Sequence, residues 1–459
     1  MTTMKLKQQV SGHVVHRSDD EYESIRHKMV WNALKPERYP ELIVQAASEQ
    51  DVIGVVNYAR EKEMKIAVRG GGHSWCASSL RDGGILLDLS RLNAVEVDPE
   101  KRVATIQPVV TNREFARKLA PYDLAFPFGH CPSVPISGYI LGGGLGWNTG
   151  FWGVACFSLL GLDVVTADGK LVKATEDENS DLLWAARGSG PGFFGVATKY
   201  CLRVYPLPKA ITTSMLMFSL DSLPEIIPGV EDVVRKPPPF VELALLFTSA
   251  PPLLVADRCE RVCMVVATAF ADTTQMASDA LSAVANCPLK NFVMKDLNAN
   301  TTFDTLFDTM DALFPEGKRY AVDNMWSDTQ PITVLSTLRD QFIKAPSPQS
   351  LAISLILPPP AANAPQMPDA AFSMIAPVYI DCSAVWDDAS RDKPNIDWLR
   401  STMRALEPIG IGHYVGEVDL TAHPSRSVRS FNQRNWERLE GLRKKYDPKG
   451  IFHSYIGSE

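Results

Sequence analysis

The sequence has no apolar run near the roughly 18 residues that a membrane-spanning helix needs. It has no excess of positive charge either. With 46 Lys and Arg against 53 Asp and Glu, the formal net charge of −7 argues against nucleic acid or an anionic membrane as the main partner. The opening stretch, "MTTMKLKQQVSGHVVHRSDDEYESIRH", lacks the apolar core of a secretory signal, so a cytoplasmic location is expected. Cysteine is sparse and unpatterned: Cys76, Cys131, Cys156, Cys201, Cys259, Cys263, Cys287 and Cys382 follow no repeated spacing. A large chain without a signal is expected to keep these thiols reduced. No His or Cys lies close enough to Cys259 and Cys263 to suggest a metal site, and both read as core thiols. Internal repeats and low-complexity tracts are absent as well.

What is present is a soluble, globular composition, 45% hydrophobic and 22% charged, in a chain of 459 residues. That length exceeds one ordinary core and implies two or three packed units. Residues 40–205 alternate short β-rich runs with helical patterns. "ELIVQAA" reads as a strand and "SEQDVIGVVNYAREKEM" as a helix that Ser48 can cap, with Val52, Val55, Val56 and Ala59 at helical spacing. "KIAVRGGG" is a strand running into glycines, "TNREFARKLA" a short helix behind a threonine cap, and "LLGLDVVTADGKLVKAT" a hairpin turning at Ala167-Asp168-Gly169.

After "RVYPLPKA" the texture changes. Proline clusters at "RKPPPF" and "ILPPPAANAPQMP" separate longer strands such as "VELALLF" and "RVCMVVATAFA", with one helix predicted over "TTQMASDALSAVA". This pattern predicts an antiparallel sheet with helices on one face. "NWERLEGLRKKYDPKGIF" reads as an amphipathic helix with Trp436, Leu439 and Leu442 on its apolar side, ended by Asp447-Pro448.

Two glycine triplets stand out, "VRGGGHSW" at 68–75 and "GGGLG" at 142–146, the latter soon after "FGHCPSV" at 128–134. Consecutive glycines leave backbone N–H groups unshielded, so a diphosphate can approach them. Neither triplet continues into Gly-Lys-Ser/Thr, and neither opens a helix after a first strand as a dinucleotide fingerprint would. A tight turn explains each triplet equally well. His73 and Cys131 each sit beside their own glycine-rich segment, and imidazole and thiolate are the side chains that commonly add to an electrophilic flavin ring.

On these residues the chain resembles the vanillyl-alcohol oxidase superfamily of flavoproteins, and within it the berberine bridge enzyme-like oxidases. The matching segments are "GGGHS" (70–74), "CPSV" (131–134), "GGGLG" (142–146), "DLLWAARGSGPGFFGV" (181–196) and "NWERLEGLRKKYDP" (435–448), in the family's order. The resemblance implies an α+β, two-domain FAD-linked oxidase fold. An FAD-binding (PCMH-type) domain of two α/β subdomains would span 1–205, and a substrate domain built on an antiparallel sheet backed by helices 206–417. A final segment, 418–459, would return to the first domain. It also implies FAD held covalently, by His73 at the flavin C8-methyl group and by Cys131 at C6. Attachment at both edges would raise the flavin's potential.

The rest of the implied cofactor site is Arg69, Gly70, Gly71, Gly72, Ser74, Val134, Ser137, Gly138, Gly142, Gly143, Gly144, Gly146, Gly195 and Val196. Val134 matches a position that is small in relatives using O₂, which implies an oxidase releasing H₂O₂ to be the reading over a dehydrogenase or a redox-silent homologue. Where the family usually has "VGVGGH", this chain has "VPISGY", with Tyr139 in place of a frequent histidine.

Hydride loss from a C–H beside a hydroxyl or amine of a small-molecule substrate requires a base for the heteroatom proton. Asp381, in the predicted strand "VYIDCSAVW", falls where relatives carry a carboxylate or amide over the flavin. "IGHYVGEVDL" matches the family's Tyr-x-Asn strand. It offers Tyr414, with Gly416 replacing the asparagine, and Glu417, which strict strand alternation would point away from Tyr414. Tyr320, Asp323 and Trp326 form a third candidate wall, for which sheet packing is an equal explanation.

Overall fold

The computed structural model describes residues 2–234, 237–250, 260–287, 292–359 and 367–457. Cys259 lies outside them. Four strands form a first small sheet: β1 (His13–His16), β2 (Leu42–Gln45), β3 (Ile66–Arg69) and β4 (Ile85–Asp88), in the order β1-β2-β4-β3. β2 and β3 run parallel to β4, and β4 is buried throughout, as a strand covered on both faces must be. The helix Glu49–Lys62 packs on this sheet, with Ser48 Oγ accepting from Asp51 N at its start.

A second group follows: β5 (Val95–Asp98), β6 (Val103–Ile106), β7 (Leu124–Ala125), β8 (Leu159–Thr166), β9 (Leu171–Ala174), β10 (Gly195–Arg203) and β11 (Tyr205–Pro206). Five of them make an antiparallel sheet, β5-β6-β10-β8-β9, and β7 pairs with β11. The helix Asn112–Leu119 opens with a reciprocal capping box between Thr111 and Glu114, which satisfies two otherwise unpaired amides.

The third sheet has seven antiparallel strands: β12 (Ala210–Ser219), β13 (Val241–Ser249), β14 (Arg261–Ala271), β15 (Met294–Thr301), β16 (Arg319–Ser327), β17 (Leu351–Ile356) and β18 (Val378–Trp386). Their order is β15-β12-β14-β13-β17-β18-β16. One face packs helices, among them Pro331–Phe342 and Asp392–Leu406, in a core with Val265, Ile380 and Trp386. The opposite face turns Trp326, Leu355 and Tyr379 toward the core of the five-stranded sheet. Alternation along β18 therefore sends Tyr379 and Asp381 to that same inner face. The predicted helix over "TTQMASDALSAVA" is instead two, Thr274–Ala280 and Ser282–Ala285. Leu281 between them leaves helical geometry at ψ 2°.

The chain then crosses back. The predicted strand at 411–420 does not form: a lone bridge joins Gly412 to Trp326, and the chain turns at Tyr414. Side chains of β16 hold the segment instead of a ladder. Asn324 Nδ2 donates to Tyr414 O (2.9 Å) and Asn324 Oδ1 accepts from Tyr414 N (2.7 Å). Asp323 accepts from Asp419 N and pairs with Arg426; burial pushes its carboxyl up to about 7 against the pull of that guanidinium. Asp323 and Trp326 are thus interior packing, as the alternative reading had it. The helix Gln433–Tyr446 is capped by Asn432, and Phe452 bridges Ile66, so the last residues extend the first sheet. Among the described residues, no helix is long and apolar enough to cross a membrane.

Candidate active site

A long cleft runs where these sheets meet. Two glycine-bearing straps form one of its sides. The first leaves β3 as Gly70-Gly71-Gly72-His73-Ser74, the second runs from Gly129 to Gly146, and the cleft touches both. The straps lie on each other closely. A Cβ on Gly70 would stand 2.7 Å from Ser137 Oγ, and one on Gly71 only 2.2 Å from Pro135 Cγ. Gly72 turns at φ +72°, where a Cβ would strike Met29 O. Arg69 braces the first strap. Its guanidinium pairs with buried Asp88 (2.7 Å) and donates to Met29 O, Gly70 O and Gly71 O. Gly71→Ala is therefore expected to part the straps, costing about 1–3 kcal/mol of stability. The check is denaturation together with a lower ratio of visible flavin absorbance to protein absorbance.

His73 stacks on Trp31, with ring centroids 5.1 Å apart, and hydrogen-bonds the Ser133 backbone of the second strap. Burial, then the Arg69 charge, drag its pKa down to about 4, so the imidazole is neutral and keeps a lone pair. Cys131 packs in the cluster that holds Trp31, Trp75 and Tyr320, so the two straps bring the thiol and the imidazole to one end of the cleft. Burial, followed by Glu417, Asp381 and Asp311, pushes that thiol up to about 12.

Of the remaining expected cofactor residues, Ser74, Val134, Ser137, Gly138, Gly142 and Gly195 also line the cleft. Gly143, Gly144, Gly146 and Val196 do not. Gly143 backs onto Phe372, Gly144 donates its N–H to Tyr414, Gly146 lies against Phe128 O, and Val196 faces the core with Val165 and Phe452. These positions shape the strap and the core from behind.

The candidate bases separate sharply. Glu417 lines the cleft beside Tyr414, because the turn that replaces the expected strand cancels the alternation. The Tyr379 hydroxyl donates to Glu417 Oε2. Burial raises the Glu417 pKa, while Tyr379 and His130 draw it back. Tyr414 is committed elsewhere: its hydroxyl oxygen accepts from Gly144 N (2.9 Å) and Leu145 N (3.4 Å), and burial raises its pKa. Gly416, in the asparagine's place, leaves the space that this ring fills, since a Cβ there would lie 2.7 Å from Tyr414 Oη. Asp381 does not line the cleft. It sits behind Glu417 on β18, accepting from Ser383 Oγ (2.9 Å), and burial followed by the Glu417 charge lifts its pKa well above the usual carboxylate range.

A carboxyl raised in the folded state keeps its proton there at pH values above about 3.9, its unfolded value, so stability falls as pH rises through that window. Asp381→Asn removes the loss. The variant is expected to gain on the wild type as pH rises above about 3.9 toward the raised folded-state pKa, measured by urea denaturation.

Sequence reasoning passed over His130, Trp31, Trp75, Tyr379 and Asn324. His130 and Trp75 stand inside the quoted motifs, each one residue from a segment read for its cofactor chemistry. Trp31, Tyr379 and Asn324 reach the site from separate elements and carry no local signal. Tyr139 donates to Pro127 O (2.8 Å), which settles its hydroxyl on the segment leading into its own strap.

Comparison with known proteins agrees with this fold. The FAD binding domain family model matches residues 40–175. The FAD-linked oxidoreductase nodO of Hypoxylon pulicicidum is 30% identical over 444 residues, 96% of each chain. In fold, the chain matches 6-hydroxy-D-nicotine oxidase from Arthrobacter nicotinovorans with TM-score 0.83 at 21% identity, over 98% of both chains. It matches berberine bridge enzyme from Eschscholzia californica with TM-score 0.81 at 19% identity, over 99% of this chain and 98% of that one. Fold and cleft together define an FAD-dependent oxidoreductase of two domains, a mixed α/β FAD-binding region and a substrate domain on an antiparallel sheet. The chain belongs to the FAD-linked oxidoreductases and shares the fold of berberine bridge enzyme.

Proposed function

We propose that this protein is an oxidase carrying FAD on two covalent bonds, to His73 and Cys131, and that Glu417 is its proton acceptor. The observation that carries the reading is the meeting of a neutral imidazole, a thiol and a carboxylate in one cleft walled by glycine straps. Those straps suit FAD, because Gly70 and Gly71 have no space for a Cβ and both line the cleft, where backbone N–H groups can serve a diphosphate. Arg69, Gly72, Ser74, Val134, Ser137, Gly138, Gly142 and Gly195 would complete the cofactor's surroundings. The bound flavin would supply hydride acceptance and reoxidation by O₂ with release of H₂O₂.

The chain's own residues do the rest. Glu417 takes the proton of a substrate hydroxyl or amine, the Tyr379 hydroxyl orients its carboxylate, and burial keeps it more basic than an exposed glutamate. Tyr414 is a brace between the substrate sheet and the second strap, and no proton step is assigned to it. The substrate is a small molecule. The proposed domain boundaries are 205/206, a cut that falls within β11 (Tyr205–Pro206) just before the first strand of the seven-stranded sheet, and 417/418, where the chain turns back past Glu417.

The test is direct. Acid-precipitated protein should stay yellow, and peptides containing His73 and Cys131 should together carry the mass of one flavin. A substrate panel in air should bleach the visible band and form peroxide. Slow reoxidation in air beside fast reoxidation by an artificial acceptor would make the enzyme a dehydrogenase instead.

A further inference from the structure

The second strap carries a histidine that the reaction as written does not use. His130 precedes Cys131, lines the cleft with Glu417, and reaches across to β13, where its Nε2 meets Glu242 Oε1 at 2.9 Å. Trp147 fixes the ring from the side, edge-on at 74° with centroids 5.2 Å apart. Glu242 belongs to the seven-stranded sheet and His130 to the strap, so this contact joins the two walls between which a substrate must sit.

We propose that His130, tied to Glu242, is a positioning residue that holds Glu417 in its carboxylate form. This rests on the reading of Glu417 as the proton acceptor. The charges around the pair explain why such a residue is needed. Glu417 is half-buried, and burial favours its protonated form. The Tyr379 hydroxyl supplies one hydrogen bond, and His130, lining the same cleft, supplies a further pull. Burial works against a charged His130, but the charge and hydrogen bond of Glu242, then the charge of Glu417, outweigh it and raise its pKa. The other titratable groups facing the pair are Tyr139 and Tyr414, both held neutral by burial, and the protonated thiol of Cys131. None of these can replace the imidazolium.

Coupling between two sites is reciprocal. If His130 favours the Glu417 carboxylate, that carboxylate must favour the imidazolium to the same extent, and this can be read without turnover. The holoenzyme, labelled with ¹³C at histidine Cε1, is titrated by NMR, with His130→Gln assigning the resonance. The His130 midpoint is expected above the ordinary value of about 6.5. Glu242→Gln should lower it by about 1 pH unit, and Glu417→Gln by about 0.5 pH unit. A midpoint that Glu417→Gln leaves in place overturns the proposal, and so does a wild-type midpoint at or below the ordinary value. Should Glu242→Gln not fold, the Glu417 variant decides alone. Failure of the base reading shows separately, as a Glu417→Gln enzyme that reduces its flavin at the wild-type rate.

Discussion

Glu417→Gln is expected to slow flavin reduction by a substrate about 10²–10⁴-fold, the usual worth of a positioned general base. The acid-stable yellow colour should remain. Glutamine keeps the size of the side chain and an oxygen to accept from Tyr379, so the cleft should hold its shape while the proton acceptor is lost. The two other candidates give different signatures. Tyr414→Phe removes the acceptor for Gly144 N–H and leaves that buried amide unpaired, so its effect should fall on stability and flavin content. Asp381→Asn leaves the cleft-lining Glu417 in place, so its loss of rate should be smaller than that of Glu417→Gln. The sign for the wild type follows from the role. A base must be ionised, so reduction speeds up as pH rises through the raised Glu417 pKa, and the glutamine variant should lack that limb. Stopped-flow reduction under anaerobic conditions across the pH range measures it. A Glu417→Gln enzyme retaining the limb would pass the role to Asp381.

The second large effect concerns the attachment. His73→Ala should leave flavin bound through Cys131 alone, Cys131→Ala should leave it through His73 alone, and the double variant should release all its colour on acid precipitation. Each single variant should also have a lower flavin potential than the wild type, since one electron-withdrawing substituent is gone. The bonds should not form alike. His73 is neutral at any physiological pH and has its lone pair ready, whereas Cys131 must first give up a proton that burial and nearby carboxylates hold. Incorporation of FAD into the apoprotein should therefore complete at His73 first, with the Cys131 bond forming faster as pH rises. Mass analysis of the two peptides over time reads both. Unmodified masses for both peptides in the purified protein would remove covalent attachment altogether.

Much of the fold was legible because its signals are short. The serine cap at Ser48, the threonine cap at Thr111 and the turn at Gly169 each act over three or four residues, and the structure forms all three. The straps were legible for the same reason: glycine next to His73 or near Cys131 is a local fact of chain conformation. The segment at 411–420 was misread because its residues alternate like a strand, yet Asn324 and Asp323 supply the hydrogen bonds that a neighbouring strand would have given. Helix continuity at Leu281 failed on a similar point, since a break of one residue leaves no mark in apolar spacing.

By itself, then, the sequence determined the glycine-rich make-up of the straps, the alternation of elements and the family likeness, all of which depend on neighbours along the chain. Tertiary structure alone decided which carboxylate faces the cleft, that Tyr414 braces the strap, and that His130 meets Glu242 from 112 residues away. The reason is physical. Backbone conformation follows from the residues at hand, but the ionisation and reach of a side chain depend on burial and on charges brought in by distant elements.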